Sequence, residues 1–190
     1  MIPVTGLLLA AGAGRRFGRP KALVELDGEP LVRRALRVLR DGGCSPLVVV
    51  LGAAADEVAP LVPEDVTAVV ADGWAEGMGA SLRAGLDALT GDAALVHLVD
   101  LPGVTATAVA RLVAAVDGPH TLARAAYGGR PGHPVLFGRA HWTGVRAAAA
   151  GDEGARRYLA THPARLVECG DVATPDDADT PERLARFRGA

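Results

Sequence analysis

The stretch Leu9-Ala10-Ala11-Gly12-Ala13-Gly14-Arg15-Arg16-Phe17-Gly18-Arg19-Pro20-Lys21 sets four cations within seven residues, beside a run of small side chains. Small residues let backbone N–H groups approach a ligand closely and form a nest for an anion. Arg15, Arg16, Arg19 and Lys21 can then neutralise several phosphate charges. A solvated basic turn is the alternative for a lone Gly-x-Gly. Two features favour phosphate here: the loop ends an apolar run, and it holds the chain's only lysine, since 19 of the 20 basic residues are Arg. Asp100 complements this loop. It follows the apolar run Ala94–Val99 and so emerges at a strand end. A carboxylate there can hold Mg²⁺, which takes hard oxygen ligands and bridges phosphates. Capping the next helix is the competing role, but Asp100 sits too early, and Thr105 is better placed to cap.

Two familiar phosphate loops do not fit. The dinucleotide pattern GxGxxG needs glycine where Phe17 stands, and an acidic residue where the second apolar run passes into Leu51-Gly52-Ala53. The Walker pattern GxxxxGK[ST] fails because Gly12 and Gly18 are six apart and Ala22 follows Lys21.

The elements that must position these groups follow from hydrophobic periodicity. Val4–Ala11, Leu47–Leu51, Thr67–Ala71 and Ala94–Val99 are nearly continuous in Val, Leu and Ala, as strands buried on both faces should be. Between them, Pro30–Arg40 places Leu31, Ala35, Val38 and Leu39 on one face and four arginines on the other, with Gly42-Gly43 as the stop. Met78–Leu89 and Thr105–Val116 repeat the helical pattern. Strand–helix alternation predicts a mostly parallel sheet covered on both faces. In such sheets ligands bind beyond the carboxyl ends of the strands, where both the loop and Asp100 fall. Further on, His120–Tyr127 and Pro134–Phe137 predict strands about a turn at Gly128–Gly132, an antiparallel addition. Helices near His141–Ala149 and Glu153–His162, a strand at Arg165–Cys169 and a helix at Pro181–Arg188 complete the pattern. Ser81, near a helix start, is placed either to contact base or ribose or to cap the helix. His97, inside an apolar strand, reads as a satisfied core histidine. Asp176 and Asp177 read as solvated charge.

Composition narrows the partners. Apolar residues make up 49% and charged residues 22%, ordinary for a globular protein rather than a disordered one. A net charge of −2 argues against a nucleic-acid groove or an electrostatic membrane surface. Cys44 and Cys169 are far apart and belong to no metal-binding spacing, so a reduced, cytoplasmic setting is expected. Without a linker or repeat, residues 1–190 read as one domain. There is no Asn and no Gln, so recognition falls to Ser, Thr, Asp, Glu, Arg, His and the backbone.

The loop resembles the signature LAAGxxxRxGxPK of the NTP-transferase superfamily, with Gly28-Glu29-Pro30-Leu31 matching the GxPL that follows it. Gly77-Met78-Gly79-Ala80-Ser81-Leu82-Arg83, Asp100-Leu101-Pro102, Gly132-His133-Pro134, Gly151-Asp152-Glu153-Gly154 and Asp179-Thr180-Pro181-Glu182 are similar to the branch containing molybdenum cofactor cytidylyltransferase. The resemblance covers nearly the whole chain. It implies an α/β fold, a Rossmann-like three-layer αβα domain of glycosyltransferase-A type. It also implies a Mg²⁺-dependent nucleotidyltransferase that moves NMP from an NTP onto a phosphate-bearing acceptor and releases pyrophosphate. Leu9, Ala10, Ala11, Gly12, Ala13, Gly14, Arg16, Lys21 and Ser81 would hold the nucleotide, with Arg16, Lys21 and Asp100 catalytic. Asp179 would join Asp100 on the metal, although it is equally placed to cap the helix at Pro181. His133, Asp152 and Arg156 would lie on the acceptor side. CTP as donor (LAAG accompanies cytosine, LAGG guanine), molybdopterin as acceptor and a molybdoenzyme or its chaperone as partner come from the resemblance alone. The family often has Asn near position 72, where this chain has Asp72. Rival readings are a sugar- or polyol-phosphate acceptor, a non-catalytic nucleotide-binding module and a nicotinamide oxidoreductase. Retention of Lys21 with Asp100 counts against the second, and Phe17 against the third.

Overall fold

The computed structural model describes residues 2–189; the outermost positions of the expected domain, Met1 and Ala190, lie outside it. In chain order the strands are β1 (Val4–Leu9), β2 (Glu25–Leu26), β3 (Glu29–Pro30), β4 (Leu47–Leu51), β5 (Thr67–Val70), β6 (Ala93–Leu98), β7 (Leu122–Tyr127), β8 (Arg130–Gly138) and β9 (Arg165–Glu168). The helices are α1 (Leu31–Asp41), α2 (Ala55–Val58), α3 (Met78–Asp87), α4 (Ala106–Ala114), α5 (Arg139–Ala148), α6 (Arg156–Thr161) and α7 (Pro181–Leu184).

Seven strands form one sheet in the order β5-β4-β1-β6-β8-β7-β9. β5, β4, β1 and β6 are mutually parallel. β8 runs antiparallel to both β6 and β7, and β9 returns parallel to β7. This is the expected Rossmann-like αβα architecture, with the antiparallel addition inserted into the sheet. The apolar runs of β1 and β4 are buried throughout, because each face of the sheet carries its own cluster. Leu8, Leu36, Val49, Leu95 and Leu112 pack on the α1–α4 face. Leu7, Val50, Leu82, Val135 and Phe137 pack on the face of α3, α5 and α6.

Several local expectations need correction. β5 is an edge strand, not one buried on both faces: three of its four residues are exposed, Val70 among them at 54%. Thr67–Ala71 and the central strands look alike in sequence because Ala and Val are compatible with either environment. The helix expected over Glu153–His162 is a short 3₁₀ turn at Gly151–Glu153 followed by α6; Gly154, with φ of 53°, interrupts it. The turn expected at Gly128–Gly132 shrinks to Gly128-Gly129, both at positive φ, and β8 starts at once at Arg130. Pro181–Arg188 is α7 plus a 3₁₀ turn. The β2–β3 hairpin and α2 had no periodic signal, being too short to carry one. Thr105 caps α4 as anticipated, its hydroxyl accepting from the Ala108 amide at 3.3 Å.

Candidate active site

β1, β6 and the N-terminal end of α3 meet at one edge of the sheet around a cavity of about 430 Å³. That volume is in the range of small-ligand pockets. Its wall includes Leu9, Ala11, Gly12, Ala13, Gly14, Arg16 and Lys21 from the loop, Ser81 from α3, Asp100 after β6, and Asp152 and Asp179 from the C-terminal half. Eleven expected residues are thus brought together, from segments up to 170 positions apart, 179 − 9.

The loop's backbone is arranged for an anion. The Gly14 carbonyl accepts from the Phe17 and Gly18 amides, both at 2.9 Å, closing a tight turn. Among the described residues, no protein acceptor takes the N–H groups of residues 12–16. Gly14 is required for this shape: its φ is +61°, and a Cβ there would fall 1.9 Å from the Arg19 carbonyl oxygen. A Cβ on Gly12 would meet nothing within 4 Å, so that side of the loop is open.

Lys21 starts a short 3₁₀ turn, Lys21–Leu23, that aims its side chain inward. Its ammonium donates to Asp100 Oδ2 at 2.8 Å and to Asp179 Oδ1 in a still closer contact. Arg16 Nη1 donates to the other Asp179 oxygen at 3.3 Å. The side chains of Lys21, Asp100 and Asp179 are only 16%, 24% and 22% exposed, so water screens the cluster weakly. Burial works against the Lys21 charge, but Asp100 and Asp179 outweigh it and hold the lysine above its usual value. The Lys21 hydrogen bond in turn holds Asp179 below the usual carboxylate range, against its own burial. Asp179 does not cap α7. Thr180 does, its hydroxyl accepting from the Arg183 amide.

Ser81 lies within α3, behind the N-cap Gly77, which makes no side-chain cap. Its hydroxyl makes no hydrogen bond among the described residues, so it is free to meet a ligand, and the capping alternative falls. Asp100 and Asp179 fit a divalent cation, because oxygens from both already converge on one positive charge. They are two ligands rather than three, which suits an ion that keeps phosphate oxygens and waters in its shell.

Other expected residues lie elsewhere. Ala10 faces the opposite cluster and does not line the cavity. Asp72 is exposed and outside it. His133 and Arg156 do not reach it either. Arg19 turns away, bonding the Leu23 carbonyl at 2.9 Å. His97 is a core residue, 1% exposed, but it is not satisfied: its Nδ1 has no partner. Asp177 is not merely solvated, for it pairs with Arg183. Arg15, one of the loop's four cations, also lines the cavity, together with Trp74, Glu76 and Met78, to which no role had been given. The signal for the last three was the Gly77-Met78-Gly79 segment, whose upstream aromatic had no periodicity to explain it.

A loop of open backbone amides faces paired carboxylates on a Rossmann-like sheet, and the family that this chain matches is one of nucleotidyltransferases. The MobA-like NTP transferase domain matches residues 6–166, and the chain belongs to that family. It is 41% identical to nicotine blue oxidoreductase of Paenarthrobacter nicotinovorans over 97% of this chain and 96% of that one. It is 31% identical to molybdenum cofactor guanylyltransferase of Rhodobacter capsulatus over 96% and 94%. Among solved structures, a homologue of Mycobacterium tuberculosis Rv0371c from Mycobacterium sp. strain JC1 superposes with a TM-score of 0.83 at 32% identity, covering 97% of this chain and 94% of that one. Rv0371c from M. tuberculosis H37Rv in complex with manganese gives 0.79 at 27% identity, with 97% of each chain covered.

Proposed function

We propose that this nucleotidyltransferase moves CMP from CTP onto the phosphate of molybdopterin or its metal-loaded form, with Mg²⁺. The observation that carries the transfer chemistry is the Lys21 ammonium held between Asp100 and Asp179, opposite a loop of unpartnered amides. An oxygen of the acceptor phosphate attacks the α-phosphorus of the NTP, the bond from that phosphorus to the α–β bridging oxygen breaks, and pyrophosphate leaves. Such transfer depends on positioning and charge neutralisation rather than on a protein nucleophile. The amides of residues 12–16 and Arg16 hold the departing phosphates. Lys21 leaves its carboxylates for the α-phosphate, where charge develops. Asp100 and Asp179, once Lys21 has left them, would hold a divalent cation, and such an ion would supply neutralisation of phosphate charge.

Base choice rests on Ala11, which lines the cavity where the motif's guanine form has glycine, and its methyl group favours the smaller base. The name of the R. capsulatus relative argues for GTP instead. Pyrophosphate release from each NTP, with and without molybdopterin, decides this. The expected result is a preference for CTP of about 10²-fold in kcat/KM, the size expected where the wrong base leaves backbone groups unpaired. Equal rates, or a GTP preference, overturn the cytosine reading but leave the transfer chemistry standing.

A second reading has specific support, for the relative at 41% identity is named as an oxidoreductase. On that reading the same loop holds the pyrophosphate of a nicotinamide dinucleotide. Against it stand Phe17, in place of a fingerprint glycine, and the Lys21–Asp100–Asp179 cluster, which hydride transfer does not need. Oxidation of reduced nicotinamide by nicotine blue, with no pyrophosphate released from any NTP, is the outcome that selects it.

A further inference from the structure

Arg124 is a cation that does not line the nucleotide cavity. It lies on β7, half-buried, and its Nε donates to the Gly132 carbonyl at 3.3 Å. Among the described residues its terminal nitrogens donate to nothing and no carboxylate pairs with it. Burial weakens its hold on its proton, with no counter-charge to offset the loss. A partly desolvated cation without a partner costs stability. Several other arginines meet a carboxylate: Arg37 meets Glu29, Arg111 meets Asp171 and Arg146 meets Asp87.

The backbone beneath Arg124 is also irregular. Arg124 pairs with Val135, yet Ala126 pairs with Pro131, so three residues of β8 (132–134) stand against the single Ala125 of β7. Such bulges re-aim side chains and recur beside active sites. Val135 belongs to the same apolar cluster as Leu9 and Ala11, which line the cavity, so its partner Arg124 stands on the cavity's face of the sheet. Burial, helped by the Arg124 cation and opposed by the Asp100 carboxylate, lowers the pKa of His133, within the bulge, to about 4. β7 is two strands from β6, about 10 Å at ordinary strand spacing, with Arg124 level with Val96, four residues before Asp100.

We propose that Arg124, with His133 beside it, binds the phosphate monoester of the acceptor and presents it toward the Asp100 end of the cavity. Arg124 is the specificity residue of that second subsite. Its two terminal nitrogens form the planar fork that suits a phosphate, and a neutral His133 adds one further donor or acceptor. This rests on the nucleotidyltransferase reading, but the anion site can be tested apart from it.

The test is thermal unfolding with and without inorganic phosphate, on the wild type, Arg124→Met, Arg124→Lys and Lys21→Ala. Phosphate is expected to raise the Tm of the wild type and of Lys21→Ala, to raise that of Arg124→Lys by less, and to raise that of Arg124→Met least, by only what the amides of residues 12–16 and Arg16 still bind. Without phosphate, Arg124→Met should melt at or above the wild type, because it removes an unpaired charge. An arginine with only a structural role would give the reverse, a lower Tm with the phosphate response kept. In wild-type protein, NMR should show the His133 ring resonances moving on phosphate titration, and this readout stands even where a variant fails to fold. In kinetics with molybdopterin, Arg124→Met should raise KM for the acceptor at least tenfold and leave KM for the NTP unchanged. A phosphate response as large in Arg124→Met as in the wild type, one abolished by Lys21→Ala, or a motionless His133 overturns the proposal. A response that depends on Arg124 in a protein releasing no pyrophosphate would sink the nucleotidyltransferase reading and leave the anion site standing.

Discussion

The loop side and the β7–β8 side of this molecule treat charge in opposite ways. Around the loop, positive charge is answered from within: Lys21 is shared by Asp100 and Asp179, and Arg16 reaches the same aspartate. On β7 the Arg124 cation is answered by one backbone carbonyl and nothing else. A self-neutralised cluster is stable without ligand but must exchange partners before it can act. An unanswered cation costs stability until a ligand arrives. The difference separates a region built to reorganise from one built to receive.

The comparison breaks most visibly at Asp100. Asp100→Asn keeps the shape, removes one carboxylate charge and leaves Lys21 with Asp179 alone. The expected loss in kcat is on the order of 10²-fold or more, as for other deletions of a preorganised electrostatic group. Nucleotide binding without metal should survive, measured by calorimetry. Normal turnover at ordinary Mg²⁺ would contradict the role assigned to both Asp100 and the pairing.

Lys21 sharpens the same contrast. The chain uses Arg at every other basic position, so an exception here suggests that a guanidinium will not serve. Lys21 sits at 16% side-chain exposure between two carboxylates, and the broad planar fork of Arg is harder to seat there than a compact ammonium. Lys21→Arg should therefore lose at least about tenfold in kcat, or ~1.4 kcal/mol of transition-state stabilisation. Lys21→Ala should lose more, and Arg19→Lys, whose side chain turns away from the cavity, should be nearly silent. Steady-state rates on the three variants decide it, and wild-type kcat/KM in Lys21→Arg would make the lone lysine a coincidence.

What the sequence revealed of this site follows the same division. The loop, Asp100 and Ser81 were legible because each sits at the end of a strand or the start of a helix whose periodicity is strong. Asp179 was legible only through its resemblance to a family motif, since a position next to Thr180-Pro181 is equally good for a helix cap, and Thr180 takes that role. Arg124 carried no signal at all. In sequence it is one arginine of many, and its distinction is a half-buried place without counter-charge on the cavity's face of the sheet, which exists only after β7 and β8 pair through a bulge. The exposure of β5 was hidden for a similar reason: position in the sheet is set by topology, while its Val and Ala suit centre or edge alike. The helix break at Gly154 was visible as a glycine but not as a positive-φ residue.

The smallest expected effect lies in the core behind the loop and concerns stability rather than chemistry. His97, on β6, is 1% exposed, and burial, aided by His133, pushes its pKa down to about 3. Its Nδ1 has no partner, and neither has Nε of Arg34; both residues line a void of about 10 Å³. The folded state thus keeps His97 neutral, while an unfolded chain protonates it near the ordinary value of about 6.5. Between those values the unfolded state binds the extra proton, so stability falls as the pH drops from about 6.5 toward 3. His97 alone contributes up to about 1.4 kcal/mol per pH unit across that window. His97→Leu removes this share and leaves no buried polar atom unpaired at that position, so its stability at neutral pH should be close to that of the wild type. Denaturant unfolding of both proteins from pH 7.5 down to 5 measures the difference. The variant's curve should be the flatter one, with the remaining slope owed to His133 and the carboxylates. Parallel curves would mean that His97 is protonated in the native protein, and that its surroundings supply a counter-charge which the geometry does not contain.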